Sequence, residues 1–124
     1  MDWKPEGYTE LAPYLLVPDA QAVLDFVGRV FGARTLRLVR DGQRIAHAEA
    51  QVGDTVLMMG ETPDGTPAHL HLYLADPDAA FARALDAGAE TVQDMAKQPD
   101  GDRRGAVRAP DGTVWWLSRH GSGT

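Results

Sequence analysis

"DTVLMM" at residues 54–59 returns as "GTVWWL" at 112–117, and "FGAR" at 31–34 returns as "AGAE" at 87–90. The two offsets, 58 and 56 positions, are close enough to be one spacing. Self-similarity at a fixed spacing marks a duplicated supersecondary unit. The stretches around these repeats follow the same order twice.

In the first copy "LAPYLLV" (11–17) reads as a strand, and Asp19 caps a helix with apolar Val23, Leu24, Val27, Val30 and Phe31 three or four residues apart. Gly32 ends that helix. "RTLRLVR", "RIAHAEAQV" and "TVLMMG" then read as strands, divided by Asp41-Gly42 and Gly53-Asp54 turns. In the second copy "HLHLYLA" (69–75) is a strand, and Asp76-Pro77 opens a helix that turns Phe81 and Leu85 inward and stops at Gly88. Two weaker strands and "TVWWLS" (113–118) follow. The first ten residues form a polar arm. The pattern predicts an α+β chain of two βαβββ modules in a single domain spanning 1–124. Module one covers 11–60, a turn-rich linker 61–67 and module two 68–120. Each module supplies a four-stranded concave mixed sheet with a helix behind it, and the concave faces are expected to surround a cavity.

A formal net charge of −6 over 124 residues argues against nucleic acid or an anionic membrane as partner. The absence of cysteine excludes disulfides, thiolate metal sites and thiol nucleophiles. No apolar run resembles a signal peptide or is long enough to span a bilayer, so a cytoplasmic location is the expectation. Phosphate-loop, dinucleotide and nucleophile-elbow patterns are missing, and the Pro-Asp-Gly triplets at 63–65, 99–101 and 110–112 are turn chemistry.

"HLHLYL" (69–74) alternates, with His69, His71 and Tyr73 on one strand face and leucines on the other. In "RIAHAEAQV", His47 and Glu49 also share a face, where a carboxylate can orient and charge an imidazole for acid–base catalysis. These five side chains offer donors and acceptors, and Tyr14, Met58 and Trp116 offer flat or deformable walls of the kind that line small-molecule pockets. Met58 and Trp116 read equally well as core packing. Trp115 faces opposite to Trp116, so one of the pair packs against a helix. "QPDGDRRG" (98–105) carries Asp102, Arg103 and Arg104 just before a late strand, where an arginine, Arg103 in particular, is a candidate bidentate donor to an anionic ligand at the rim, and a solvated loop with local ion pairs is the plainer reading.

"PYLLVPDAQAVLDFVGRVFGA", "RIAHAEAQVGDTVLMM", "LHLYLADPDAAFARALDAGAE" and "GDRRGAVRAPDGTVWWL" resemble the vicinal oxygen chelate superfamily of glyoxalases, bleomycin-resistance proteins and extradiol dioxygenases, its PhnB-like branch in particular. The resemblance runs from Leu11 to His120. Metal enzymes of that superfamily draw His or Glu ligands from the first and last strand of each module. By motif those places fall here on Ala12, Met58, His69 and Trp116. Alanine and indole offer no donor, and thioether sulfur prefers soft metals. One imidazole does not make a catalytic site that needs about three protein ligands. The resemblance therefore implies a small-molecule-binding protein without the standard metal and with no cofactor expected, sequestering an antibiotic or toxic metabolite and pairing as a homodimer. The alternative is an enzyme (lyase, isomerase or dioxygenase). It would use a relocated His69, His71 and Glu49 site for zinc, nickel, manganese or iron, or metal-free catalysis by His47 and Glu49.

Overall fold

The computed structural model describes residues 3–121, in the order β1 (Tyr14–Val17), α1 (Ala20–Phe31), β2 (Arg34–Asp41), β3 (Arg44–Val52), β4 (Thr55–Glu61), β5 (His69–Tyr73), α2 (Pro77–Asp86), β6 (Glu90–Lys97), β7 (Arg103–Arg108) and β8 (Val114–Arg119). This is βαβββ twice. The chain divides into two units, the first ending at Thr66 and the second beginning at Pro67. Each holds one four-stranded mixed sheet, ordered β1-β4-β3-β2 in the first and β5-β8-β7-β6 in the second. Among the described residues no helix is long and apolar enough to cross a membrane.

The first unit follows the sequence closely. The Asp19 side chain accepts from the Ala22 amide at the start of α1, and Gly32 closes the helix at φ 68, a left-handed conformation that glycine adopts without a Cβ penalty. The helix buries Val23, Leu24, Phe26, Val27 and Val30. They meet a strand face whose β3 residues are small, since Ala48 and Ala50 are fully covered. β1 is shorter than the apolar run suggests. It starts at Tyr14, because Pro13 has no N–H for a ladder and contributes only its carbonyl, which accepts from the Met58 amide. β4 runs through Glu61, so the connection to the second unit begins one residue later than expected.

In the second unit β5 pairs parallel with β8, and β7 and β6 continue the sheet antiparallel. Asp76 caps α2 by accepting from the Ala79 amide, with Pro77 in the first turn. The buried side of α2 is Pro77, Ala80 and Ala84; Phe81 is half-buried and Leu85 is 40% exposed, which corrects the inward face expected for them. The sheet explains the change. β8 brings Trp115 and Leu117 to the helix-covered face, and their bulk fills the space a large helix residue would need.

Candidate functional site

In each unit one sheet face carries the helix and the other is open, and the ladder register assigns side chains to faces. Tyr14 pairs with Met58 and Met58 with Glu49, so these residues share the open face of the first sheet, along with His47 two residues before Glu49. The four polar groups there form one chain. Glu49 is only 4% exposed; its Oε1 accepts from the Tyr8 hydroxyl and its Oε2 lies 2.7 Å from His47 Nε2. The other ring nitrogen, Nδ1, lies 3.2 Å from the Tyr14 hydroxyl. The hydroxyl fits because residue 60 is glycine, where a Cβ would stand 2.9 Å from the phenol oxygen.

Electrostatics sets the direction of these bonds. Burial pushes the Glu49 carboxyl up, but the hydrogen bonds from Tyr8 and His47 and the charges of His47 and Arg37 outweigh it and hold it below its ordinary range. Its hydrogen bond to Glu49 raises the Tyr8 phenol, burial and the carboxylate charge raise it further, and Arg37 partly opposes them. An ionised carboxylate only accepts, so His47 donates from Nε2. In the neutral ring Nδ1 is then the acceptor, and Tyr14 donates to it. The arm residues Trp3, Lys4, Pro5, Tyr8, Thr9 and Glu10 fold beside this face. With Arg37, Glu49 and Met58 they line a cleft of about 310 Å³. Lys4 Nζ donates to the Tyr8 carbonyl across the arm.

The open face of the second sheet carries His69, His71, Tyr73, Trp116, Ser118 and Arg104. The Trp116 indole donates to His69 Nδ1 at 3.1 Å, with the two rings within 24° of parallel. His71 meets the Ser118 hydroxyl through Nε2 at 3.0 Å and presents its ring to Tyr73 edge-on. Arg104 Nε donates to the same hydroxyl at 3.1 Å, and its other nitrogen reaches Asp100 and Asp102. Asp102 is held below its ordinary range, first by the Gly121 amide and then by the His120 and Arg104 charges, against burial.

The structure thus brings Tyr14, His47, Glu49 and Met58 together in the first unit, and His69, His71, Tyr73 and Trp116 together in the second. Arg103 is placed elsewhere. It belongs to the helix-covered face and grips Asp78 of α2 with two bonds, at 2.7 and 2.6 Å. The open-face arginine is its neighbour Arg104. Tyr8, in the polar arm, is a further member of the site that the sequence did not single out.

The donor set does not fit the metal that the superfamily's metal enzymes hold. Ala12 and Trp116 have no ligand atom, Met58 offers only a thioether, and His69 Nδ1 already accepts from the indole. Both Glu49 oxygens are taken, and among the described residues no three His, Cys, Asp or Glu side chains gather in a metal-binding set.

Residues 8–117 match the family model of the glyoxalase/bleomycin resistance protein/dioxygenase superfamily. The chain belongs to that superfamily. It is similar to an uncharacterised protein of Mycobacterium bovis, 36% identical over 88% of this chain and 82% of the relative. Among solved structures it resembles TioX from Micromonospora sp. ML1, at 28% identity and a TM-score of 0.78, over 90% of this chain and 98% of that one. The bleomycin-binding protein complexed with bleomycin shares the fold, at 20% identity and a TM-score of 0.65, over the same shares of the two chains.

Proposed function

We propose that this superfamily member, of the PhnB-like branch, binds a small organic molecule without a metal and protects its cell by sequestering an antibiotic or toxic metabolite. The observation that carries the reading is the cleft of the first unit. Its floor holds a buried, ionised Glu49 fixed by Tyr8, and Trp3, Pro5 and Met58 give it apolar walls. Apolar walls with a few fixed polar groups are the usual makeup of a ligand pocket. His69, His71, Tyr73 and Trp116 offer a separate candidate binding surface on the open face of the other sheet. Pairing as a cytoplasmic homodimer belongs to the same proposal and is supported by apolar Leu38, Val39 and Val92, exposed on edge strands. Sedimentation of the purified chain at several concentrations tests it.

Titration of chelator-treated protein with bleomycin, chosen because one fold relative is crystallised with it, and with anilinonaphthalene sulfonate as a general apolar probe, tests the binding reading. We expect saturable binding of at least one probe without metal, weakened by Glu49→Gln or Met58→Ala. Binding of either probe that appears only after metal loading would overturn it.

The chain from Tyr14 through His47 to Glu49 supports a second reading, metal-free acid–base catalysis. Here His47 holds the moving proton and Glu49 stabilises the imidazolium. Loss of turnover of a given substrate in His47→Gln, with its binding retained, would favour this reading over sequestration.

A further inference from the structure

Three exposed or half-exposed tyrosines occupy three different hydrogen-bonding situations, and one of them has the layout of an activated nucleophile. The Tyr14 side chain is 51% exposed, and its hydroxyl touches His47 Nδ1 at 3.2 Å. His47 is fixed from behind by Glu49 at 2.7 Å, and Glu49 by Tyr8. A nucleophile in contact with a base, and the base oriented by a buried carboxylate, is the arrangement that makes a weak hydroxyl reactive. Tyr73 is more exposed, at 62%, and its ring meets the His71 ring in a T-shaped contact. Tyr8 donates to a carboxylate, too weak a base to take a phenolic proton at neutral pH.

We propose that Tyr14 is a base-activated nucleophile toward small acyl donors, with His47 as its general base and Glu49 as the positioning residue. The phenolic oxygen bonds to the acyl carbon while its proton passes to His47 Nδ1. The bond from the acyl carbon to the leaving group breaks, and His47 returns the proton to that departing group. Tyr14 is left as an aryl ester. Water then cleaves the ester, releasing a carboxylic acid and restoring the phenol. The Glu49 carboxylate stabilises the imidazolium between the two proton transfers without itself taking the proton. No cofactor or redox partner enters, and the proposal stands on the hydrogen-bond chain, independently of any ligand bound in the cleft.

The full-length protein supplies its own controls. Treatment with N-acetylimidazole at neutral pH, followed by peptide mass spectrometry over time, reads acetylation at all three tyrosines at once. We expect Tyr14 to react at least about ten-fold faster than the more exposed Tyr73, a floor set below the roughly 10²–10⁴-fold that a positioned general base supplies, with Tyr8 slowest. His47→Gln should bring Tyr14 down to the Tyr73 rate. Glu49→Gln should lower it in part and change the pH profile at Tyr14 while leaving the profile at Tyr73 unchanged, which a purely structural role would not do. Gly60→Ala, which crowds the hydroxyl without removing any member of the chain, should also slow Tyr14. Turnover of p-nitrophenyl acetate should disappear in Tyr14→Phe, where only the hydroxyl is lost. Equal rates at Tyr14 and Tyr73 in the native protein, or an unchanged ratio in a folded His47→Gln variant, would overturn the proposal.

Discussion

The two sheets place different chemistry at matching positions of their open faces. Tyr14 pairs with Met58 as His71 pairs with Trp116, and the partners of Gly60 and Glu49 in the first unit correspond by register to those of Ser118 and Ala106 in the second. In the first unit the hydrogen bonds run inward to an anion, from Tyr14 to His47 to Glu49. In the second they centre on a cation, Arg104, which donates to the Ser118 hydroxyl, and that hydroxyl lies 3.0 Å from His71 Nε2. One fold, doubled, therefore presents a solvent-facing phenol next to a base on one sheet and a solvent-facing imidazole next to a hydroxyl held by a cation on the other. Duplication preserved the frame and freed each face to differentiate.

The helix-covered faces differ in a second way. The large side chains of α1 cover Ala48 and Ala50 of β3 beside Leu57 and Met59 of β4, whereas the buried residues of α2 are small and the sheet beneath them carries Trp115 and Leu117. The largest expected effect tests that difference. Trp115→Ala should cost about 3–5 kcal/mol in urea unfolding, since Ala80 and Ala84 opposite cannot close the cavity. A much smaller loss would mean that α2 repacks inward through Phe81, and the two units would be packed alike after all.

Next in size is the charge contrast. Glu49→Gln should cost about 2 kcal/mol, because it weakens two hydrogen bonds to a buried carboxylate. The sign of the pH dependence follows from the lowered folded value. Ionised Glu49 favours folding, so its contribution is complete above its ordinary 4.5 and is lost as pH falls through the lower folded value. Acid unfolding curves of native and Glu49→Gln protein should therefore converge at the acidic end and separate above it. Curves that run parallel across the whole range would show that Glu49 is held by shape and not by charge.

Much of the frame was legible because its signals are local. Asp19, Gly32, Asp76 and Pro77 each act within one turn of their own position, and the alternation in "HLHLYL" survives intact in β5. The site was legible where residues share a strand, as His47 and Glu49 do. It was not legible where contact depends on tertiary approach. Tyr8 reaches Glu49 across 41 residues, and no periodicity in the arm announces it. Arg103 and Arg104 differ by one position where a loop becomes a strand, and a shift of one residue exchanges the faces. The misjudged face of α2 has a third cause. Hydropathy favours Phe81 and Leu85, whereas the space left by Trp115 and Leu117 selects alanine.

A smaller effect comes from the ends of the sheets, where matching positions again carry opposite polarity. Glu61 accepts from the Ala20 amide at the start of α1 and from the Ile45 amide, at 2.9 and 2.8 Å. Arg119, at the corresponding end of β8, donates to the Ala75 carbonyl before α2. Glu61→Ala should cost about 1–2 kcal/mol, since it leaves two partly buried amides short of a partner. Arg119→Ala should cost less, because its carbonyl partner lies open to water. Equal losses would imply that the clasp works by geometry alone.

The smallest expected effect decides which arginine belongs to which face. Arg103 and Asp78 are both about half exposed, and exposed ion pairs gain little over their hydration even with two good bonds. Arg103→Ala should leave the unfolding midpoint and probe binding unchanged. Arg104→Ala removes the donor to Ser118 and thereby frees the hydroxyl to turn from His71, so it should change the His71 imidazole signals in NMR. Asp102 should stay ionised in that variant, because the Gly121 amide is the largest cause of its lowered value and Arg104 a lesser one. If Arg103→Ala disturbed His71 and Arg104→Ala did not, the parity of β7 would be reversed. The contrast between an anion-directed face and a cation-directed face would then lose its second member.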